Sequence, residues 1–227
     1  MGVLDLFRKK EGAIEFDVVK AVKGSLDDFQ DRLRKSSLII LIVGKRGSGK
    51  TALGFKFLES LTGRRKAYYI GKAKLPWWIK QVETIEGVRN DSLVLIDEGV
   101  LSYSARDAMS KSSKFLSKLM AIARHKNLTL IVITQNSAML DLNILRLADT
   151  LLFKELSLLQ SRFERKALAD LFKKVDTSFS KIKDRDKKKY FYVIDDEFEG
   201  MLTSPLPKFW SEKISKSYSK IDNFDSK

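Results

Sequence analysis

Leu38-Ile39-Ile40-Leu41-Ile42-Val43 runs without a break into Gly44-Lys45-Arg46-Gly47-Ser48-Gly49-Lys50-Thr51, and the fold class follows from that junction. Six branched aliphatic residues with no polar alternation predict a strand buried on both faces, as in a parallel sheet. The glycine-rich stretch matches the pattern G-x-x-x-x-G-K-[ST]. Glycines let the main chain curl until successive N–H groups converge on one point, a geometry that suits phosphate oxygens. Thr51 to Leu61 then reads as a helix, with Leu53, Phe57, Leu58 and Leu61 near one side and Gly63 beyond its end. A helix starting near Lys50 turns its positive end toward the same anion. The expected cradle is Gly44 to Thr51 with Ala52 beside it. The Lys50 ammonium would meet the β- and γ-phosphates of ATP, and the Thr51 hydroxyl would bind Mg²⁺.

Outward from the cradle, buried strands alternate with helical segments. Ala67 to Ile70, Leu93 to Ile96, Leu128 to Thr134 and Thr150 to Phe153 are strand candidates. Residues 113–125 and Met139 to Leu147 read as helices. This alternation predicts an α/β fold with a mainly parallel sheet and helices on both faces. Ser25, followed by Asp27 and Asp28 and closed by Arg32, Arg34 and Lys35, marks an earlier short helix. Ile14 to Val22 is a further strand candidate. After residue 156 the expected order is a helix over Leu158 to Val175, a basic stretch, and a hairpin of Tyr190 to Ile194 with Phe198 to Thr203. The expected division is an extension over 1–36, a phosphate-binding core over 37–155 and a C-terminal helix and hairpin extension over 156–227.

The strand Leu93 to Ile96 ends in Asp97-Glu98, the acidic pair of a Walker B motif. Asp97 would hold Mg²⁺, and Glu98 would orient or deprotonate an attacking water. Gln135 ends the strand that follows. Ligands collect at the carboxyl ends of parallel strands, so Gln135 would lie near the γ-phosphate as a sensor. Arg124 is a candidate to stabilise transferred phosphoryl charge in a neighbouring subunit, with Arg106 and Arg146 as competitors.

Composition narrows the chemistry further. The 227 residues contain no cysteine and one histidine, His125, which removes thiol catalysis and disulfides and argues against a histidine-built metal site or a serine–histidine triad. No apolar run is long enough to cross a bilayer, and the N-terminus does not read as a secretory signal, so a cytoplasmic location is expected. Net charge is +14, from 43 lysines and arginines against 29 acids, which suits nucleic acid or an anionic membrane surface, or is simply a well-solvated charged surface. The stretch Ser102 to Lys114 is rich in small hydroxyls and leaves the Walker B end directly. It reads either as a DNA-contacting loop using Arg106, Lys111 and Lys114, a pore loop where the chain forms a ring, or as a solvated surface loop. Trp77-Trp78 and Phe209-Trp210 admit two readings each, a subunit contact or packing against the sheet.

These motifs together resemble the FtsK–HerA superfamily of P-loop ATPases, and most closely the compact genome-packaging ATPases of archaeal and other membrane-containing viruses. Pro205-Leu206-Pro207-Lys208-Phe209-Trp210-Ser211 adds to the likeness. The resemblance implies a RecA-like sheet of the ASCE type, strand order 5-1-4-3-2. It also implies a homo-oligomeric ring, often a hexamer, that moves double-stranded DNA by ATP hydrolysis, with a capsid or membrane-associated viral protein as a further partner. The alternatives are a nucleotide-gated assembly or secretion protein of Zot-like type and a nucleotide kinase.

Overall fold

The computed structural model describes residues 14–63, 65–71, 73–97, 109–135, 142–157, 166–184, 186–211 and 214, with the backbone alone for 109–113, 142–143 and 166–168. Nine strands form one sheet: β1 (Asp17–Gly24), β2 (Ile39–Val43), β3 (Ala67–Ile70), β4 (Ile79–Val82), β5 (Leu93–Ile96), β6 (Thr129–Thr134), β7 (Thr150–Phe153), β8 (Tyr190–Ile194) and β9 (Phe198–Thr203). Among the described residues five α-helices accompany them: α1 (Leu26–Lys35), α2 (Lys50–Leu61), α3 (Met109–His125), α4 (Leu142–Leu147) and α5 (Lys166–Ser180).

The order across the sheet is β1-β9-β8-β7-β2-β6-β5-β3-β4. Pairing is parallel from β7 to β4 and antiparallel among β7, β8, β9 and β1. The order 5-1-4-3-2 is therefore not the order of this sheet as a whole. The strands it was meant for occupy the interior run β7-β2-β6-β5-β3, and four others extend the sheet beyond them on both sides. The strand Thr150–Phe153 is internal because the hairpin β8–β9 covers its outer edge. At the other side β4, from a stretch with no clear alternation, pairs with β3.

Side chains of the central strands alternate between two apolar layers. Ile39, Leu41, Val94, Ile96, Leu130 and Val132 face α3, α4 and α5 through Leu116, Met120, Ile144, Phe172 and Val175. Ile40, Ile42, Leu93, Leu95, Ile131 and Ile133 face α1 and α2 through Phe29, Leu33, Phe55, Phe57 and Leu58. Burial on both faces is why these strands carry no polar alternation. Gly54 lets α2 sit close to the sheet, because a Cβ there would stand 2.9 Å from Leu95 Cδ1 and 3.0 Å from Ile133 Cδ1.

Several element boundaries differ from the sequence-based expectation. α3 starts at Met109, so Lys111 and Lys114 lie on its first turns and not in a loop. Helical spacing is weak there because Ser110, Ser112 and Ser113 interrupt it. α5 continues to Ser180, past the expected end at Val175, because Phe179 still has a buried place in the core. Trp77 is 96% exposed and does not pack against the sheet, whereas Trp78 meets Phe209 and Trp210 meets Phe55. Among the described residues, no helix is long and apolar enough to cross a membrane.

Candidate nucleotide site

In the middle of the sheet, β2, β6 and β5 end side by side, and their exits open into one cavity of about 1070 Å³. Arg46, Gly47, Gly49, Lys50, Thr51, Ala52, Asp97 and Gln135 all line it. Residues separated by up to 89 positions meet because parallel strands put their carboxyl ends on one edge. Gly47 (φ +74°) and Gly49 (φ +89°) take the left-handed backbone that the curl requires. Gly49 caps α2 without a side-chain hydrogen bond, so the first helical N–H groups turn toward the cavity uncapped by any side chain.

Lys50 is buried, and its ammonium donates to the Lys45 carbonyl at 3.0 Å. The stem is thereby held along the loop, with the charge at the cavity wall. Lys45 has a different role from the rest of the cradle. Its ammonium pairs with Glu155 at 2.6 Å, and its N–H donates to the Glu155 carbonyl at 2.9 Å, tying the loop to the exit of β7. Ser48 is buried, and its Oγ has no hydrogen-bond partner among the described residues. A buried hydroxyl without a partner among the described residues, within a glycine loop at a helix start, suits an anion's oxygen.

Asp97 accepts a hydrogen bond from the Tyr69 hydroxyl at 3.1 Å. That contact orients one carboxylate oxygen. Gly71 (φ +153°) makes it possible, since a Cβ there would stand 2.6 Å from the same hydroxyl. Thr51 and Asp97, one hydroxyl and one carboxylate facing one cavity, suit a divalent cation held together with phosphate oxygens. Among the described residues no cluster of three or more histidine, cysteine or acidic side chains forms an all-protein metal site. One hydroxyl and one carboxylate fit Mg²⁺, which is bound through one or two protein groups plus substrate phosphates.

The remaining expected residues are distributed otherwise. Glu98 and Arg106 lie outside the described residues, as does the side chain of Lys111. Lys114 is exposed on α3. Arg124 donates to the Leu147 carbonyl at 3.0 Å and to Asp149 at 3.1 Å. Asp149 in turn accepts from the Ile39 N–H at 2.7 Å, at the start of β2. The cradle begins at the other end of that strand, about 13 Å away at the usual rise. Arg124 thus stands at the opposite edge of the sheet from its own chain's cradle.

Two groups in the site escaped the sequence reading. The chain beyond β7 brings Asp186, Lys188, Tyr190, Pro205 and Trp210 to the cavity wall. Lys154 also reaches the cavity and is 1% exposed. Burial pushes its ammonium down to about 7, with Lys50 adding to the effect and Asp186 opposing it. A signal for Lys154 was available. It follows the last residue of β7, as Gln135 follows β6 and Asp97 follows β5, and each strand exit next to a cradle faces the same edge.

No protein-family model matches the chain, and no curated protein matches it. Solved structures do. B204, the DNA-packaging ATPase from Sulfolobus turreted icosahedral virus, superposes with a TM-score of 0.50 at 16% identity, over 76% of this chain and 99% of that one. The genome-packaging NTPase B204 from Sulfolobus turreted icosahedral virus 2 in complex with ATP-gammaS gives 0.50 at 16%, over 75% and 98%. The pCW3 conjugation coupling protein TcpA with ATPgS gives 0.53 at 14%, over 94% and 71%. EccC (ATPases 2 and 3) from Thermomonospora curvata gives 0.50 at 12%, over 83% and 42%. The fold is that of the P-loop ATPases, and the structural neighbours include the genome-packaging type that the sequence resembles.

Proposed function

We propose that this protein is a Mg²⁺-dependent ATPase motor that moves double-stranded DNA, of the genome-packaging kind, and that it works as a homo-oligomeric ring such as a hexamer. The observation that carries the reading is the meeting of Lys50, Thr51, Asp97 and Gln135 around one cavity at the strand exits. Support also comes from the fold, shared with packaging NTPases solved with nucleotide analogues. The net charge of +14 suits a polyanionic track.

In this reading the loop N–H groups and the end of α2 hold the phosphate chain of ATP, and Lys50 sits against the β- and γ-phosphates. Thr51 and Asp97 hold Mg²⁺, which neutralises charge on the phosphate oxygens when bound. Glu98 takes a proton from water as its oxygen attacks the γ-phosphorus, and the β–γ bridging oxygen leaves with ADP. Gln135 hydrogen-bonds the water or the γ-phosphate and reports which nucleotide is present. Arg124, remote from its own cradle, serves the site of an adjoining subunit. Arg106, Lys111 and Lys114 contact DNA phosphates, and a capsid or membrane-associated viral protein is a further partner.

The test is ATP hydrolysis with and without duplex DNA, together with the mass of the assembly in solution. Hydrolysis stimulated by duplex DNA in an oligomer is the expected result. Glu98→Gln should abolish turnover while ATP still binds. Binding without any turnover in the wild type would favour a nucleotide-gated assembly or secretion protein, a reading to which the likeness to EccC, solved in complex with a signal sequence peptide, lends weight. Transfer of phosphate to a nucleotide faster than to water would favour a kinase.

A further inference from the structure

The Lys154 side chain lies along the inner wall of the cradle. A Cβ built on Gly44 would stand 2.7 Å from Lys154 Cβ, and one built on Gly49 would stand 3.7 Å from Lys154 Cε. The lysine therefore runs from the first glycine of the loop to the last, and its tip comes to the start of α2. Its ammonium donates to the Lys188 carbonyl, the only hydrogen bond it makes among the described residues. That carbonyl also borders Gly49, at 3.3 Å from the same ideal Cβ.

The charges around it come from three directions. From α2 stands Lys50, whose positive charge opposes a second one. From the C-terminal extension stands Asp186, whose negative charge favours it. The adjacent Glu155 is already engaged by Lys45 at 2.6 Å and Lys187 at 3.8 Å. No described carboxylate forms an ion pair with Lys154. A fully buried lysine without an ion-pair partner is unfavourable for a folded chain, and such groups concentrate where a ligand supplies the missing charge.

We propose that Lys154 is a second phosphate-binding lysine of this site: its ammonium, in company with Lys50, takes a phosphate oxygen of the bound nucleotide in exchange for the Lys188 carbonyl. The inference rests on the nucleotide reading of the cavity and adds to it a residue that the motif G-x-x-x-x-G-K-[ST] does not contain. It has a chemical consequence. Lys154 near neutrality is only partly protonated, because burial and Lys50 work against its charge. A phosphate chain alongside would restore the charge, so nucleotide binding draws a proton from solvent onto Nζ.

Calorimetric titration with the nonhydrolysable analogue AMPPCP and Mg²⁺, in two buffers of different ionisation heat, measures that proton directly. For the wild type the expected uptake is small at pH 6, roughly half a proton or more at pH 7.5, and larger at pH 8. Lys154→Met, which keeps the apolar stem, should bind about 10- to 100-fold more weakly and lose this component of the uptake. If the variant binds as the wild type does, with the same proton uptake, Lys154 is merely a packing residue and the proposal falls while the nucleotide site stands. Should the wild type bind no AMPPCP at all, the nucleotide reading fails and takes the proposal with it. Should Lys154→Met not fold, Lys154→Gln takes its place, and AMPPCP affinity equal to that of the wild type overturns the proposal.

Discussion

Alanine at each of three cradle glycines should have a different effect, and the ranking follows from the space around each. At Gly44 the added methyl would stand 2.7 Å from Lys154 Cβ, 3.0 Å from Ser48 Oγ and 3.3 Å from the Glu155 carbonyl. The closest of these is a Cβ fixed to the backbone of the neighbouring strand exit, so rotamer change gives no relief. β7 would have to move by several tenths of an ångström. It is held by the parallel ladder that pairs Val43 with Phe153, by Lys154 N–H to the Val43 carbonyl at 2.7 Å and by Lys45 N–H to the Glu155 carbonyl at 2.9 Å. Overpacking of this kind costs about 2–3 kcal/mol. At Gly47 nothing lies within 4 Å, and only the left-handed backbone (φ +74°) opposes a side chain, which costs about 1–2 kcal/mol. Gly49 combines the strained backbone (φ +89°) with a backbone contact at 3.3 Å and belongs with Gly44. For a chain of this size each kcal/mol lowers Tm by about 2–4 °C. Thermal unfolding should therefore place G47A nearest the wild type, and G44A and G49A clearly lower. A G47A variant as destabilised as G44A would refute the reasoning that neighbour contacts, and not loop flexibility alone, demand glycine at position 44.

Other outcomes follow from the same contacts. Lys154 has a folded pKa near 7 against an ordinary value of 10.5, so between those values the unfolded chain binds more protons and stability rises with pH. The slope is about 1.4 kcal/mol per pH unit at most. Denaturant unfolding at pH 7 to 10 should show it in the wild type and not in K154M, and equal slopes would contradict the buried charge. Tyr69→Phe removes the donor to Asp97, so the Mg²⁺ concentration for half-maximal ATPase should rise about 3- to 10-fold with kcat little changed; an unchanged Mg²⁺ requirement would mean the hydroxyl does not orient the carboxylate. Reversing the charge of Lys111 and Lys114 should weaken binding to duplex DNA and flatten its dependence on salt. Filter binding across a salt series checks this, and an unaltered slope removes α3 from the DNA surface.

The local signals in this chain were short-range ones. Six aliphatics, a glycine loop and the start of a helix predict a phosphate cradle because backbone curl and helix polarity are decided within a dozen residues. Asp97 and Gln135 were legible for the same reason, since a polar residue closing a buried strand marks an exit edge wherever that strand lies. The capping serine at position 25 and the acid-to-base gradient of α1 likewise sufficed for Leu26–Lys35. What only the tertiary structure decided depends on contacts between distant segments. The edge strand β1 exposes Val18, Val19 and Val22, so its membership in the sheet comes from main-chain pairing with β9 and not from burial. Gly200 permits that pairing, because a Cβ there would stand 2.3 Å from the Lys20 carbonyl. Lys154 is legible as the residue that closes β7, but its burial beside the cradle is decided only by β7 lying against β2 and by the Lys188 carbonyl meeting its tip. The physical reason is that hydrophobic period and turn chemistry are properties of neighbours along the chain, whereas desolvation of a charge is a property of everything that packs around it.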